Sequence, residues 1–203
     1  MLNNFIIQAS KIFYKGRLIW RPEVKEKLVY LTFDDGPDER TTKKILEILK
    51  DNEVKATFFC LGENAEKQPA ILQQIIDDGH KIGAHGYKHL NGWLTPLKKY
   101  LSNAFLSGSI LKTELFRPPY GKITACQAKH ISKQYKIVMW TVMSKDYSRK
   151  VSPQKCLQIV TRKIRPGDIF VFHDSQGAAE NCIYALPKFI KHAQKLGFKF
   201  DLL

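Results

Sequence analysis

Leu28-Val29-Tyr30-Leu31-Thr32-Phe33-Asp34-Asp35-Gly36-Pro37 is a mostly apolar run that stops on two carboxylates and a turn. The run has the length of a buried strand, and Gly and Pro end it. Just beyond it, Thr41 to Lys50 places Ile45, Leu46 and Leu49 on one side, the spacing of a helix. Strand, turn and helix then recur. Val54 to Leu61 reads as a buried strand, Ala65 to Asp77 as a helix stopped by Gly79, and His80 to His85 as a short strand. Pro96 starts a helix that runs to Lys112. Leu115 to Arg117 enters a proline-rich turn, and Tyr135 to Val142 is a strand. Ser152 to Lys163 is a helix and Asp168 to Phe172 a strand. Ile183 to Lys195 is a helix ended by Gly197, and Phe198 to Leu202 is the last strand. This alternation implies an α/β fold of parallel strands with right-handed crossovers. About seven strands can close into a barrel or spread into an open sheet, and periodicity does not separate the two.

The 203 residues suit one domain with a sizeable core. Lys and Arg number 33 against 19 Asp and Glu, a formal net charge of +14. Such a surplus favours anionic partners: nucleic acid, an anionic cell-wall polymer or a lipid surface. The bases are spread along the chain with no Lys/Arg block and no nucleic-acid motif, so a basic solvated surface and no specific nucleic-acid partner are expected. No stretch approaches the roughly 20 apolar residues of a membrane-spanning helix. Leu2, Phe5, Ile6, Ala9 and Phe13 have helical spacing, which predicts a helical extension over residues 1–27 before a domain over 28–203. That helix is expected to cap the domain, although Lys11, Lys15 and Arg17 also suit peripheral membrane contact. Phe5-Ile6-Ile7 is cut short by Gln8, too short for a signal peptide, so a cytoplasmic location is expected, with association with the cell envelope left open. Cys60, Cys126, Cys156 and Cys182 form no Cys-x-x-Cys pair and read as buried free thiols. Oligomeric state is not encoded.

The polar residues worth notice sit where strands end: Asp34 and Asp35, His85, Arg117, Asp146 and His173. Ligands bind at the carboxyl ends of strands in barrels and open parallel sheets alike. Asp34-Asp35-Gly36-Pro37 alone is an ordinary turn. Its sharper reading gives two carboxylates different tasks, one binding a metal and its neighbour taking a proton from water. His85 and His89, four apart, fall on one face of a helical turn and can grip one metal. Two imidazoles and one carboxylate leave room for water, the arrangement of catalytic zinc. In the rigid turn Arg117-Pro118-Pro119-Tyr120-Gly121, Arg117 can pair with a carboxylate, and a backbone N–H can donate to an oxyanion. His173 as an acid needs a carboxylate partner, and Asp146 is the candidate. Trp140 and Tyr147 flank that loop and suit either core or an apolar wall for a sugar ring. Each signal is modest alone. Together, in order and at successive strand ends, they supply the metal, water, base, oxyanion donor and acid of metal-assisted amide hydrolysis.

These residues resemble the polysaccharide deacetylase family, which shares the NodB homology domain and forms carbohydrate esterase family 4. Thr32-Phe33-Asp34-Asp35-Gly36-Pro37 matches the first family motif. His85 to His89 keeps both histidines, with Gly86 where Ser or Thr is usual. Arg117-Pro118-Pro119-Tyr120 matches the third motif. Trp140 to Tyr147 keeps Asp146, with Met143 for a frequent Asp and Tyr147 for a frequent Trp. The fifth keeps His173, with Val171 where Leu is common. The resemblance covers Leu28 to the C-terminus. It implies a distorted, incomplete (β/α) barrel, usually counted as seven-stranded, over residues 28–203. It implies Asp34 as general base and Asp35, His85 and His89 as metal ligands. It also implies Arg117 orienting Asp34, the Tyr120 N–H as oxyanion donor, and His173 as general acid tuned by Asp146. Tyr120, Trp140 and Tyr147 would line the substrate groove. The metal would be Zn²⁺, with Co²⁺ and Ni²⁺ fitting the same donors. The partner would be an N-acetylated glycan, chitin-like or peptidoglycan-like, and the products acetate and a free amino sugar. The departures at Gly86 and Tyr147 touch support of the ligands and the sugar-facing wall. Three rivals remain: an inactive glycan-binding homologue, an amide or ester hydrolase acting on a small molecule or O-acetylated glycan, and a nucleic-acid binder.

Overall fold

A computed structural model describes residue 10 and residues 12–203. The helical positions Leu2, Phe5, Ile6 and Ala9 lie outside the described residues. Phe13 lies within them, and its side chain faces solvent. Among the described residues no helix is long and apolar enough to cross a membrane.

Among the described residues nine strands make one sheet, and every pairing in it is parallel. Its path starts at β1 (Leu18–Ile19) and continues through β6 (Lys136–Val138), β5 (Leu115–Phe116), β4 (Lys81–Ala84) and β3 (Thr57–Cys60). It then passes β2 (Leu28–Asp34) and β8 (Ile169–His173) and ends on β7 (Val142–Met143). The final strand, β9 (Lys199–Asp201), pairs with the first half of β2. The sheet curls, and no pairing joins β1 to β7 among the described residues, so the architecture is a distorted, incomplete (β/α) barrel.

Side chains alternate between the two faces of each strand, and this alternation decides what fills the barrel. Val29, Leu31 and Phe33 of β2 face outward to the helices, as do Phe58 of β3 and Phe170 and Phe172 of β8. Phe33 stacks on Phe58 at 4.8 Å, and Phe170 packs on Phe189 at 4.5 Å. The opposite set, Tyr30, Phe59, Leu115, Val138 and Ile169, forms a separate cluster. Above these plugging residues, the same parity of β2 brings up Thr32 and then Asp34. Gly83 of β4 admits the Phe59 ring, because a Cβ there would come within 2.5 Å of it. The interior therefore ascends from apolar to polar toward the strands' carboxyl ends, where a parallel barrel places its site.

The strand expected over Tyr135 to Val142 is broken into β6 and β7, because its backbone changes neighbours midway. The Met139 N–H donates to Ile19 O on one edge, and the Thr141 N–H donates to Ile169 O on the other. The helix expected from Ala65 to Asp77 is two: α2 (Gly62–Lys67) and α3 (Pro69–Asp77). Pro69 explains the break, since it has no N–H to continue the ladder. The helix α1 (Thr41–Asp51) buries Ile45, Leu46 and Leu49 as its spacing predicts. The helix α4 (Leu97–Leu111) follows the histidine loop. A helix not anticipated, α5 (Ala125–Ile131), begins with a capping box in which Thr124 and Gln127 bond each other reciprocally. It carries Cys126, which is exposed, whereas Cys60, Cys156 and Cys182 are buried and free. The remaining helices are α6 (Pro153–Thr161) and α7 (Ala179–Lys195).

Candidate metal centre and active site

Parallel register brings the polar residues together. Asp34 at the end of β2 lies level with Phe59 of β3 and with His173 at the end of β8. His85 follows the last residue of β4, and Arg117 follows β5, whose Phe116 pairs with Ala84.

Beyond Asp34 the chain turns sharply. Asp35 adopts φ 82°, in the left-handed region that non-glycine residues avoid. Such a conformation costs about 1–3 kcal/mol and persists only where its surroundings fix it. Three contacts fix it here. Asn64 Nδ2 donates to Asp35 O at 2.7 Å, the Gly36 N–H donates to Asp174 Oδ1 at 2.8 Å, and the Leu61 N–H donates to Gly36 O at 2.9 Å. Asp174 is itself tied, accepting from Thr42 Oγ1 at 2.7 Å, and burial pushes its carboxyl up to about 7. Gly36 is required at its position: a Cβ there would fall 1.9 Å from Asp174 Oδ2.

Asp35 Oδ1 is buried with no hydrogen-bond partner among the described residues. Around it stand His89 Nε2 at 3.3 Å and His85 Nε2 at 3.6 Å. Bonds of ~2.0–2.1 Å at tetrahedral angles would set donors ~3.3 Å apart, so the spacing suits a single metal ion. His85 Nδ1 lies 2.8 Å from Arg117 O. A carbonyl only accepts, so Nδ1 carries the proton and the Nε2 lone pair points at Asp35. Burial, with neighbouring His85 adding to it, pushes His89 down to about 4 against the pull of Asp35 and Asp34, which leaves a neutral imidazole. An orphaned carboxylate oxygen facing the Nε2 atoms of two imidazoles fits a divalent metal.

The histidine pair does not sit on a helical turn, contrary to its four-residue spacing. Residues 85–89 form a loop in which Gly86 has φ 82°, yet the rings are 5.0 Å apart. Asn103 of α4 shapes the loop. Its Oδ1 accepts from the Lys88 N–H at 2.8 Å, its Nδ2 donates to Lys88 O at 2.9 Å, and its backbone O accepts from the Tyr87 N–H at 3.0 Å. A Cβ on Gly86 would lie 2.6 Å from Asn103 Nδ2. The space a serine or threonine would fill at 86 is thus taken by Asn103.

Arg117 is fully buried, and all three of its nitrogens donate hydrogen bonds. Nη1 donates to Asp34 Oδ1 and to Thr32 Oγ1, both at 2.7 Å. Nη2 donates to Met139 O at 3.0 Å and Nε to Val138 O at 3.3 Å. The guanidinium lies 4.0 Å from the centre of the Phe59 ring. Burial lowers its pKa while the Asp34 charge raises it, and an arginine so partnered stays charged. One residue thereby holds Asp34, stitches the seam where β6 gives way to β7, and through its carbonyl orients His85.

On the other side of Asp34, His173 Nδ1 lies 2.7 Å from Asp146 Oδ1. Asp146 also accepts from the His173 N–H at 2.8 Å, Ser144 Oγ at 2.8 Å and the Tyr147 N–H at 3.1 Å. Burial lowers the His173 pKa, but the Asp146 charge and hydrogen bond, aided by Asp34 and Asp35, outweigh it and raise the imidazole to about 9. With Nδ1 committed to Asp146, Nε2 is the nitrogen free to act.

These groups open on a cleft of about 420 Å³. Asp34, Asp35, His85, His89 and His173 line it, with Tyr120, Trp140, Met143 and Tyr147 as walls. Tyr120 and Tyr147 are more than half exposed. The Tyr147 ring meets His173 edge-on at 4.9 Å, and Tyr120 meets His89 at 4.3 Å. Tyr120 has φ 58° in a turn closed by the Gly121 N–H to Pro118 O and the Lys122 N–H to Pro119 O. The Tyr120 N–H is left out of those turn bonds. Sequence reading did not single out Asn64, Asn103, Thr42, Asp174 or Ser144, all of which hold the site. Only Asp174 carried a usable signal, as the polar neighbour of His173 at a strand end.

Comparison with known proteins adds four findings. A family model described as polysaccharide deacetylase matches residues 21–140. A Bacillus cereus protein named peptidoglycan-N-acetylglucosamine deacetylase is 38% identical over 183 residues, covering 86% of this chain and 66% of that protein, so the chain spans just under two thirds of that relative. Among solved structures, a peptidoglycan N-acetylglucosamine deacetylase in complex with an N-oxidanyl-benzamide superposes with a TM-score of 0.90 at 35% identity, covering 95% of this chain and 94% of that one. A Bacillus anthracis protein described as a pseudoenzyme of carbohydrate esterase family 4 superposes with a TM-score of 0.81 at 28% identity, covering 90% and 66%.

Proposed function

The chain belongs to the polysaccharide deacetylase family, and from that premise we propose that it is a metal-dependent hydrolase removing the acetyl group from N-acetylglucosamine residues of a peptidoglycan-type glycan. A relative of the same fold is a pseudoenzyme, so membership alone does not decide activity. The observation that carries the reading is the convergence on one cleft of three separate devices: the Asp35–His85–His89 cluster, the Asp34–Arg117 pair and the His173–Asp146 pair.

Asp35, His85 and His89 would hold the metal, with Zn²⁺ suited to the donors and Co²⁺ or Ni²⁺ able to replace it. When bound, such an ion supplies Lewis acidity toward a water and a carbonyl oxygen. Asp34, held by Arg117 through one oxygen, takes a proton from the attacking water as general base. The Tyr120 N–H donates to the oxyanion that develops on the acetamide oxygen. His173, protonated at neutral pH and oriented by Asp146, delivers a proton from Nε2 to the leaving amine. Acetate and a free amino sugar result. Tyr120, Trp140 and Tyr147 offer apolar surfaces to the sugar ring.

The test is acetate release by metal-stripped and metal-restored protein from N-acetylglucosamine oligomers, peptidoglycan fragments and O-acetylated xylan. Release from the N-acetylated glycans that returns with metal supports the reading. Release from xylan alone, or from none of them, overturns it.

A further inference from the structure

Lys122 lines the cleft and Trp93 packs beside it, both outside the machinery just described. Lys122 is the sole Lys or Arg among the cleft-lining residues. It is half-buried, and no carboxylate lies within ion-pair distance of it among the described residues. Its Nζ sits instead 5.2 Å from the centre of the Trp93 ring. Trp93 is 62% exposed.

The exposed indole is nonetheless fixed. Its Nε1–H donates inward to Ile123 O at 3.3 Å, and its backbone N–H donates to Asn91 Oδ1 at 3.0 Å. Gln127 clamps the same loop, donating to Gly92 O at 2.8 Å and Thr95 O at 3.3 Å. Gly92 permits this close packing, since a Cβ there would fall 2.2 Å from Lys122 O. A surface tryptophan usually keeps its polar edge toward water and its carbon inside. Trp93 does the reverse, turning its N–H inward and offering a carbon face to solvent. A lysine–tryptophan contact at such a site is worth only about 0.5–1 kcal/mol, which leaves the ammonium open to a stronger partner.

We propose that Trp93 and Lys122 form a second sugar subsite, adjoining the acetyl-binding cleft, for a sugar that carries a carboxylate. The inference rests on the deacetylase reading and deepens it by naming the neighbouring residue of the substrate. In peptidoglycan each N-acetylglucosamine is flanked by muramic acid, whose lactyl ether bears a carboxylate or a peptide with carboxylates of its own. The sugar's apolar face lies on the fixed indole. The carboxylate draws the Lys122 ammonium off the ring into a charge-assisted hydrogen bond. A chain of net charge +14 also gathers an anionic polymer more readily than a neutral one.

The test is calorimetric binding to the full, zinc-loaded chain carrying Asp34→Asn, so that no acetyl group is lost during titration. One probe is a tetrasaccharide alternating N-acetylglucosamine with N-acetylmuramic acid, lactyl carboxylates free. The other is the N-acetylglucosamine tetramer. The acidic probe is expected to bind about tenfold tighter, the worth of one charge-assisted hydrogen bond at a part-exposed site. Adding Lys122→Met should bring that ratio to about one. Adding Trp93→Ala should weaken both probes about tenfold, and Trp93→Phe, which keeps a ring, should weaken them less. A tenfold preference that survives Lys122→Met overturns the proposal, as does full affinity in folded Trp93→Ala. If Trp93→Ala fails to fold, the Lys122→Met ratio decides. A lost preference with no acetate released from any glycan leaves the subsite standing and removes the deacetylase reading. Acetate release with the preference intact removes the subsite alone.

Discussion

Replacing Asp146 by Asn should change how activity depends on pH. In the folded chain His173 titrates at about 9 because the Asp146 carboxylate, 2.7 Å from Nδ1, outweighs burial. The rise from the ordinary 6.5 to about 9 favours the imidazolium by about 3 kcal/mol. Asparagine removes the charge, so burial acts against only the more distant Asp34 and Asp35, and the pKa should fall to about 6.5 or lower. At pH 8 a group with pKa about 9 is roughly nine-tenths protonated, whereas one at about 6.5 is roughly 3% protonated. The wild-type-to-variant ratio of kcat/KM should therefore grow about twentyfold between pH 6 and pH 8. Lost orientation of the ring adds a pH-independent loss, and titration of a shared water cancels in the ratio. Stability follows the same sign. The raised pKa stabilises the fold fully below about 6.5 and ceases to do so as pH rises through about 9, so the variant's deficit in Tm should be larger at pH 6 than at pH 10. The assay is acetate release across pH 5.5–9 for both proteins. A ratio that stays flat with pH would refute His173 as the general acid.

Asp34→Asn should retain metal and lose roughly 10²–10⁴-fold in turnover, while Asp35→Asn should lose metal affinity as well; metal content measured beside acetate release separates them, and near-normal turnover in metal-replete Asp34→Asn excludes the base role. Tyr147→Ala should raise KM for active glycans more than it lowers metal content, because the half-exposed ring walls the cleft; unchanged kinetics on every active glycan would sink that role. Arg117→Met should cost about 3–5 kcal/mol of stability by stranding buried Asp34, and adding Asp34→Asn should restore part of it; urea denaturation that finds the double variant no more stable than the single one contradicts the pairing.

Every run expected as a strand holds one, but Tyr135 to Val142 holds parts of two. The errors lie where the backbone changes partner without changing character. Nothing in Tyr135 to Val142 announces that the first half pairs with β5 and the second with β8. Arg117, 21 and 22 residues upstream, takes the Val138 and Met139 carbonyls at the break. The strand Leu18–Ile19 was missed because two residues carry no period, yet Leu18 is buried. Helix α5 was missed despite Thr124 and Gln127 at capping-box spacing, since Ala125 to Ile131 is too short to show an apolar stripe.

The site residues could be named because reactive chemistry needs particular side chains at strand ends. Those that hold them in place are amides, hydroxyls and one further carboxylate, types too common on any surface to stand out. Asp35 shows why the omission matters. Its φ of 82° costs about 1–3 kcal/mol, comparable with the three hydrogen bonds that support it at about 1 kcal/mol each. Those bonds come from Asn64 after β3, Leu61 beside it, and Asp174 after β8 through Gly36. The turn is therefore defined by both neighbouring strands and by neither of its own flanks alone. Gly86 extends the same logic. The family's usual serine or threonine is absent there, and Asn103, from a helix 17 residues further on, fills the space and bonds both backbone groups of Lys88. Read along the sequence, Gly86 looks like a lost support; read across the barrel, the support is supplied by another element. That is why a departure in a motif cannot be weighed until the fold shows what stands opposite it.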